Sequence, residues 1–296
     1  MSPRSEDTSK AARIRRWARS PWGRPVSMTA ALAAFGALAG LVNGLADVTP
    51  VTGLAAGVAM AALAVGLYRL LAHRLENRDD PAELRLGDAR SGLRRGTLIG
   101  LGAFTVTITV IALTGGYQLD GWGSFGGALT TLGLMCTVAV TEELIFRGVV
   151  FRVLEEKTGT WGALAASGLI FGLVHLANPL ATLWGALAIA VEGGLLLASA
   201  YAATRSLWLP IGLHLGWNMA VGGIFGTTVS GSADGLGSLL EATVTGPALI
   251  TGGSFGPEAS AVAILVCLIP TSLFLRHAKR RGRVYARGSQ VTTADR

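Results

Sequence analysis

Residues 125–150 read FGGALTTLGLMCTVAVTEELIFRGVV, an apolar run long enough to cross a bilayer. The run nevertheless contains Glu142, Glu143 and Arg147. A charge at the centre of a membrane helix costs roughly 2.5–3.5 kcal/mol on insertion scales, so such residues are functional candidates by default and usually face a partner. This stretch therefore predicts a membrane helix that holds polar chemistry.

Two further apolar segments contain polar side chains of the same kind. His175 ends the stretch FGLVH, and His214 and Asn218 both lie in LHLGWN. His214 and Asn218 are four residues apart, so they share one face of a helix. A single buried histidine is commonly a hydrogen-bonded structural residue, but three such segments in one chain favour a common site.

The composition favours a membrane protein. Hydrophobic residues make up 51% of the 296 residues, charged residues only 15%, and the mean hydropathy is +0.51. Soluble domains contain about 25% charged residues. A water-soluble protein is therefore not expected, and the fold class is predicted to be all-α and polytopic.

The apolar runs and the basic residues together predict a topology. Eight spans are predicted, at about 28–46, 51–72, 97–115, 125–150, 160–178, 182–203, 206–226 and 259–275. Lys and Arg cluster in alternate connections and at both ends, which indicates that both termini are cytoplasmic. The net charge of +7 is thus explained by orientation in the membrane, and no nucleic-acid partner is predicted.

The chain divides into a membrane domain and two tails. We expect a disordered basic cytoplasmic tail at 1–27, a transmembrane domain at 28–275 with its core at about 125–226, and a basic cytoplasmic tail at 276–296. The connection at 75–93 mixes acidic and basic residues and is interpreted as a solvated connector.

Helix periodicity predicts which polar groups meet. A turn near 157–159 would make a helical hairpin of the fourth and fifth spans, which places Glu142 roughly opposite His175. Glu143 and Arg147 have the i, i+4 spacing of an ion pair. Glu142 is turned about 100° away from that pair and is left free for chemistry.

Two chemistries are open to this set of residues. Glu142 and the two imidazoles of His175 and His214 can position and deprotonate a water molecule, with Asn218 as a neutral donor to the oxyanion of an attacked carbonyl group. Alternatively, Glu142, His175 and His214 could hold Zn²⁺ with an open fourth position. The sequence contains no HExxH motif, so the usual soluble metalloprotease arrangement is absent.

EELIFRG, FGLVH and SLWLPIGLHLGWN resemble the EExxxR, FxxxH and HxxxN motifs of the CAAX-protease and bacteriocin-processing (Abi) family of intramembrane proteases. The resemblance implies Glu142 as general base with His175, His214 as a further catalytic or metal-binding imidazole, and Asn218 as oxyanion donor. Glu143 and Arg147 complete the first motif. The family has been described both as metalloproteases and as metal-independent glutamate proteases, and zinc stays open here.

The expected protein is a multi-pass intramembrane endopeptidase of a bacterial plasma membrane, acting on a membrane-associated peptide or protein. Two alternatives are an ion-coupled transporter and a non-catalytic immunity or scaffold protein. Glu192 lies in another apolar span, where it would line the cavity or bond to a neighbouring helix.

Overall fold

The computed structural model describes residues 20–232 and 237–288, together with Arg13, Trp17 and Ala18. Most of the predicted N-terminal tail and the last eight residues of the predicted C-terminal tail lie outside the described residues.

The described residues are mostly helical. The helices are α1 (Gly23–Ala46), α2 (Pro50–Leu71), α3 (Leu86–Leu113), α4 (Phe125–Ile145), α5 (Arg152–Val174), α6 (Leu183–Ile189), α7 (Leu196–Thr204), α8 (Trp208–Asn218), α9 (Ala248–Thr251) and α10 (Ala261–Arg280). Turns of π-helix follow α2, α4, α6 and α8, at Ala72–Glu76, Phe146–Phe151, Ala190–Leu195 and Met219–Ile224. Short 3₁₀ turns occur at Ala82–Leu84, His175–Ala177, Gly253–Phe255 and Pro257–Ala259. One small antiparallel sheet pairs β1 (Tyr117–Trp122) with β2 (Leu240–Val244).

This architecture confirms the predicted all-α polytopic fold. In the described part of the chain, five helices are long and apolar enough to cross a membrane: Gly23–Ala46, Pro50–Glu76, Leu86–Leu113, Leu183–Thr204 and Ala261–Arg280. The other three predicted spans are also largely helical, and they are the ones that contain the three motifs. The side of the membrane on which each terminus lies stays a prediction.

The predicted hairpin turn lies at Gly159. This residue has φ 75° and ψ 173° inside an otherwise helical run, a conformation that suits glycine. The C-terminal segment that follows α10 packs on the turn, and the Thr160 N–H donates to the Tyr285 carbonyl over 3.0 Å. α10 itself continues to Arg280, five residues beyond the predicted end of the last span at 275.

The predicted solvated connector at 75–93 is wrong for its central part, although residues on either side of that part are exposed. Glu83 and Leu84 are buried, and the Tyr68 hydroxyl lies 2.6 Å from Glu83 Oε1. Burial lowers the pKa of Arg78, but the charge and hydrogen bond of Glu83, together with Tyr68, raise the pKa to above the ordinary arginine value. α3 begins at Leu86, so the charged residues that follow belong to its first turns rather than to a loop. Pairing of opposite charges lets this polar segment fold against the helices.

Helices α3 and α8 touch through their backbones. A Cβ atom added to Gly100 would lie 2.1 Å from the Leu213 carbonyl oxygen, and one added to Gly216 would lie 2.2 Å from the Thr97 carbonyl oxygen. Small residues allow this approach in membrane helices. The contact fixes the position of α8, which contains His214.

We expect Gly100→Ala to destabilise the protein by about 1–3 kcal/mol, because the new methyl group overlaps the α8 backbone. Gly102→Ala is the matched control on the same helix. Apart from its chain neighbours and the nearby backbone of its own helix, no described atom lies within 4 Å of its added Cβ. The control should gain about 0.5–1 kcal/mol from helix propensity. Thermal unfolding in detergent measures both, and equal behaviour of the two variants would contradict the close contact.

Candidate active site

A carboxylate at the centre of the helices joins two of the predicted residues. Glu143 is fully buried, and Arg147 Nη1 donates to Glu143 Oε1 over 2.7 Å, which confirms the predicted i, i+4 pair. His214 Nδ1 lies 3.1 Å from the same oxygen. The second oxygen, Oε2, has no hydrogen-bond partner among the described residues. Because a carboxylate accepts, His214 presents its Nδ1–H to Glu143, and its Nε2 is directed away from this contact.

Arg147 connects three helical segments. Its Nη2 donates to the carbonyl oxygens of Gly193 and Gly194, each over 3.0 Å. The guanidinium carbon lies 4.6 Å from the centre of the Phe171 ring, which is a cation–π contact. The buried charge is therefore held by one carboxylate, two carbonyl groups and an aromatic face.

Glu142 faces the other way, as predicted. Its side chain keeps 29% of its exposure, and its Oε2 has no hydrogen-bond partner among the described residues. His214 Nε2 lies 3.9 Å from this oxygen. A polar gap longer than about 3.5 Å is the usual place for a bridging water molecule.

His175 lies where α5 ends and a 3₁₀ turn begins. Its Nδ1 is 2.7 Å from the Phe171 carbonyl oxygen. A carbonyl group can only accept, so Nδ1 carries the hydrogen and Nε2 of the neutral ring is left as an acceptor. Phe171 thus orients His175 through its backbone and contacts Arg147 through its ring.

One cavity of about 290 Å³, partly open to the surroundings, is lined by Glu142, His175, His214 and Asn218. The structure therefore brings together the four residues for which the sequence predicts direct chemistry. Leu134, Met135 and Val138 form an apolar wall of the same cavity. Ligand pockets of a few hundred Å³ with apolar walls and a few converging polar groups are typical of small-molecule and peptide sites.

A narrow inner extension of the cavity contains groups that the motifs do not include. Glu192 lines it, as the sequence allowed, and its Oε2 lies 3.9 Å from the thiol of Cys267 on α10. Glu258 and Ser230 also line it, and the sequence analysis did not predict either. The signal for Glu258 was a lone Gly-Pro-Glu just ahead of an apolar span, and nothing in the Gly- and Ser-rich stretch 227–260 distinguished Ser230.

The predicted zinc ligands are only partly assembled. Glu142 and His214 face each other, but in the part of the chain that the structure describes no three His, Cys, Asp or Glu side chains are grouped closely enough to hold a metal ion. Catalytic zinc takes three protein ligands. The described residues do not form a set of three ligands. Bound zinc stays a prediction, which chelation tests.

These features define the class: a multi-pass helical membrane protein with a cavity lined by one free carboxylate, two imidazoles and an amide. Comparison with known proteins then shows a similarity over part of the chain. Residues 124–220, about a third of the chain, match the family model of type II CAAX prenyl endopeptidase Rce1-like proteins. The predicted resemblance is therefore confirmed over the segment that contains all three motifs.

One curated relative is similar to this chain over part of its length. The chain is 34% identical over 116 residues to the Bacillus subtilis (strain 168) protein named "Putative membrane peptidase YdiL". The alignment covers 39% of this chain and 42% of that protein. No solved structure matches the chain.

The two adjacent glutamates should differ in what they support. We expect Glu143→Ala to lower the free energy of unfolding by about 3–5 kcal/mol, because it leaves Arg147 buried without its counter-charge. Glu142→Ala should cost much less, since Glu142 Oε2 has no donor to lose. Thermal unfolding of both variants measures this, and an equal loss in the two would refute the division of roles.

Proposed function

We propose that this protein is an intramembrane endopeptidase that hydrolyses a peptide bond with water activated by Glu142 and His175. The observation that carries the proposal is the free Glu142 carboxylate, 3.9 Å from His214 Nε2. His175 and Asn218 line the same cavity. The similarity of residues 124–220 to Rce1-like endopeptidases supports the same reaction class.

The first step is attack by water on the scissile carbonyl carbon. Glu142 takes one proton of a water molecule held in the cavity, and His175 Nε2 accepts a hydrogen bond from the other. The Phe171 carbonyl keeps His175 in the tautomer that this role needs. The hydroxide oxygen then bonds to the carbonyl carbon as its π electrons move to oxygen.

The second step is collapse of the tetrahedral intermediate. Asn218 donates its side-chain amide hydrogen to the oxyanion, and His214, oriented by Glu143, faces the same space. Glu142 returns its proton to the leaving nitrogen as the C–N bond breaks. The oxyanion electrons re-form the carbonyl group and water is consumed. A carboxylic acid and an amine are released, and the acid then gives its proton to the amine or to solvent.

The substrate class follows from the surroundings of the cavity. Apolar side chains line one wall, and five helices of the described chain can cross a membrane. A membrane-associated peptide or protein therefore suits the site better than a freely soluble one. We place the protein in a bacterial plasma membrane, in line with its Bacillus subtilis relative.

Cleavage of a labelled peptide library by the purified protein in nanodiscs tests the reaction. Wild type should cleave, and Glu142→Gln should lose at least about 10³-fold in kcat, because the amide cannot take a proton from water. Glu241→Gln, an exposed site on β2, is the control and should match wild type. Chelation should leave cleavage unchanged if Glu142 rather than a metal ion activates water.

Cleavage by Glu142→Gln at the wild-type rate would refute the proposal. Loss of activity on chelation, with recovery on adding Zn²⁺, would replace the glutamate mechanism by a metal-dependent one. A folded wild type that cleaves nothing but moves an ion in liposomes would favour the transporter alternative.

Asn218 gives a separate test of the oxyanion role. Asn218→Asp keeps the shape of the side chain but removes the amide donor, so we expect kcat to fall by about 10²–10³-fold with little change in KM. Steady-state kinetics on the best library peptide measure both constants. A rise in KM alone would assign Asn218 to substrate binding instead.

A further inference from the structure

Glu258 is a buried carboxylate outside the three motifs. It lies in the 3₁₀ turn Pro257–Ala259, just ahead of α10, and only 1% of its surface is exposed. Its two oxygens serve two different parts of the chain. Trp217 Nε1 donates to Oε1 over 2.9 Å, while the backbone N–H and the hydroxyl of Ser230 both donate to Oε2.

The two donor residues belong to different segments of the chain, and both line the inner extension of the cavity. Trp217 directly precedes Asn218 on α8, and its ring packs edge-on against Phe104 of α3, with centroids 5.2 Å apart. Ser230 lines both the main cavity and its inner extension. Its carbonyl oxygen accepts a hydrogen bond of 2.6 Å from the Asn178 side chain, just beyond the helix that ends near His175.

We propose that Glu258 is a positioning residue that fixes the wall at Ser230 to the helix turn of His214 and Asn218. This inference rests on the proposed function, because it concerns the geometry of that site. A carboxylate is required here because donors approach from both sides and each oxygen can only accept. Misplacement of about 1 Å in such a site can cost 10²-fold in rate.

Glutamine at this position would be the wrong isostere. In Glu258→Gln, one end of the side chain becomes an amide NH₂, which must meet either the indole N–H or the Ser230 donors. Two donors facing each other in a buried place leave both without an acceptor. The side chain is nearly unchanged in shape, so the variant alters the link rather than the packing.

The test is a double-mutant cycle with two readouts. We expect Glu258→Gln to lower kcat by about 10–100-fold with KM within about twofold, because groups that orient catalytic residues usually act on this scale. Hydrogen exchange at the Ser230 amide, resolved by mass spectrometry with fragmentation, should become faster. Glu241→Gln, exposed on β2, should leave both quantities at wild-type values.

Trp217→Phe makes the cycle diagnostic. This substitution removes the indole N–H and keeps a ring against Phe104. When it is combined with Glu258→Gln, the amide at position 258 can turn its NH₂ toward that ring and its oxygen toward Ser230. In the double variant Trp217→Phe/Glu258→Gln, exchange at Ser230 should therefore return toward the wild-type rate. The kcat loss of the double variant should be smaller than the product of the two single losses.

Several outcomes would overturn the proposal. Wild-type kcat and wild-type exchange at Ser230 in Glu258→Gln would show that the link is not needed. Fully multiplicative losses would show that Glu258 does not act through Trp217. If Glu258→Gln fails to fold, the kcat of Trp217→Phe is the test, because this variant also removes one of the hydrogen bonds to Glu258. A wild-type kcat in Trp217→Phe would contradict the proposal.

Failure of the proposed function gives a different result. If wild type cleaves no peptide, the endopeptidase proposal fails, while the exchange measurement still reports whether Glu258 holds Ser230. Faster exchange in Glu258→Gln, reversed in the double variant, then supports the link without the reaction.

Discussion

A single carboxylate oxygen, Glu143 Oε1, holds the centre of this protein together. It accepts from Arg147 and faces His214 Nδ1 at 3.1 Å, and both partners are buried with it. A lone charge in this place would cost several kcal/mol, so the three groups must stay together for the helices to pack. The same contact that neutralises Arg147 also fixes the ring of His214. Stability and the geometry of the candidate site therefore depend on one interaction.

The rest of the site is arranged around that centre by irregular helix. Turns of π-helix follow α4, α6 and α8, and two carbonyl groups of the turn Ala190–Leu195 accept from Arg147. Such turns widen a helix and occur frequently at functional sites. Here the turn Ala190–Leu195 supplies backbone acceptors to a buried cation that has one carboxylate partner, Glu143, among the described residues. The helices thus contribute their backbones as well as their side chains to the charge balance.

Close backbone packing and buried hydrogen bonds both hold α8 in place. The contact of Gly100 with Leu213 brings α8 against α3 without intervening side chains, which limits how far the turn with His214 can move. On the other side, Glu258 joins that turn to Ser230. The Glu142 carboxylate faces the cavity between these supports, and its Oε2 has no hydrogen-bond partner among the described residues. The proposed activation of water would require such a rigid frame around this acid.

Features that depend on local spacing could be predicted from the amino-acid sequence. Apolar length predicted the helices, i, i+4 spacing predicted the pair of Glu143 and Arg147, and the hairpin turn near Gly159 predicted that Glu142 and His175 would share a cavity. Helix geometry is regular, so positions along one helix or across one short turn can be read directly from residue numbers.

Contacts between distant segments could not be predicted from the sequence and are seen only in the folded protein. His214 meets Glu143 across 71 residues, Glu258 reaches Trp217 across 41 residues, and the connector near Glu83 is buried rather than solvated. The segment 227–260 is rich in Gly and Ser and has no periodicity that would show which of its side chains turns inward. Charges in such segments find their partners only when the helices pack, because pairing depends on distance in space and not on spacing along the chain.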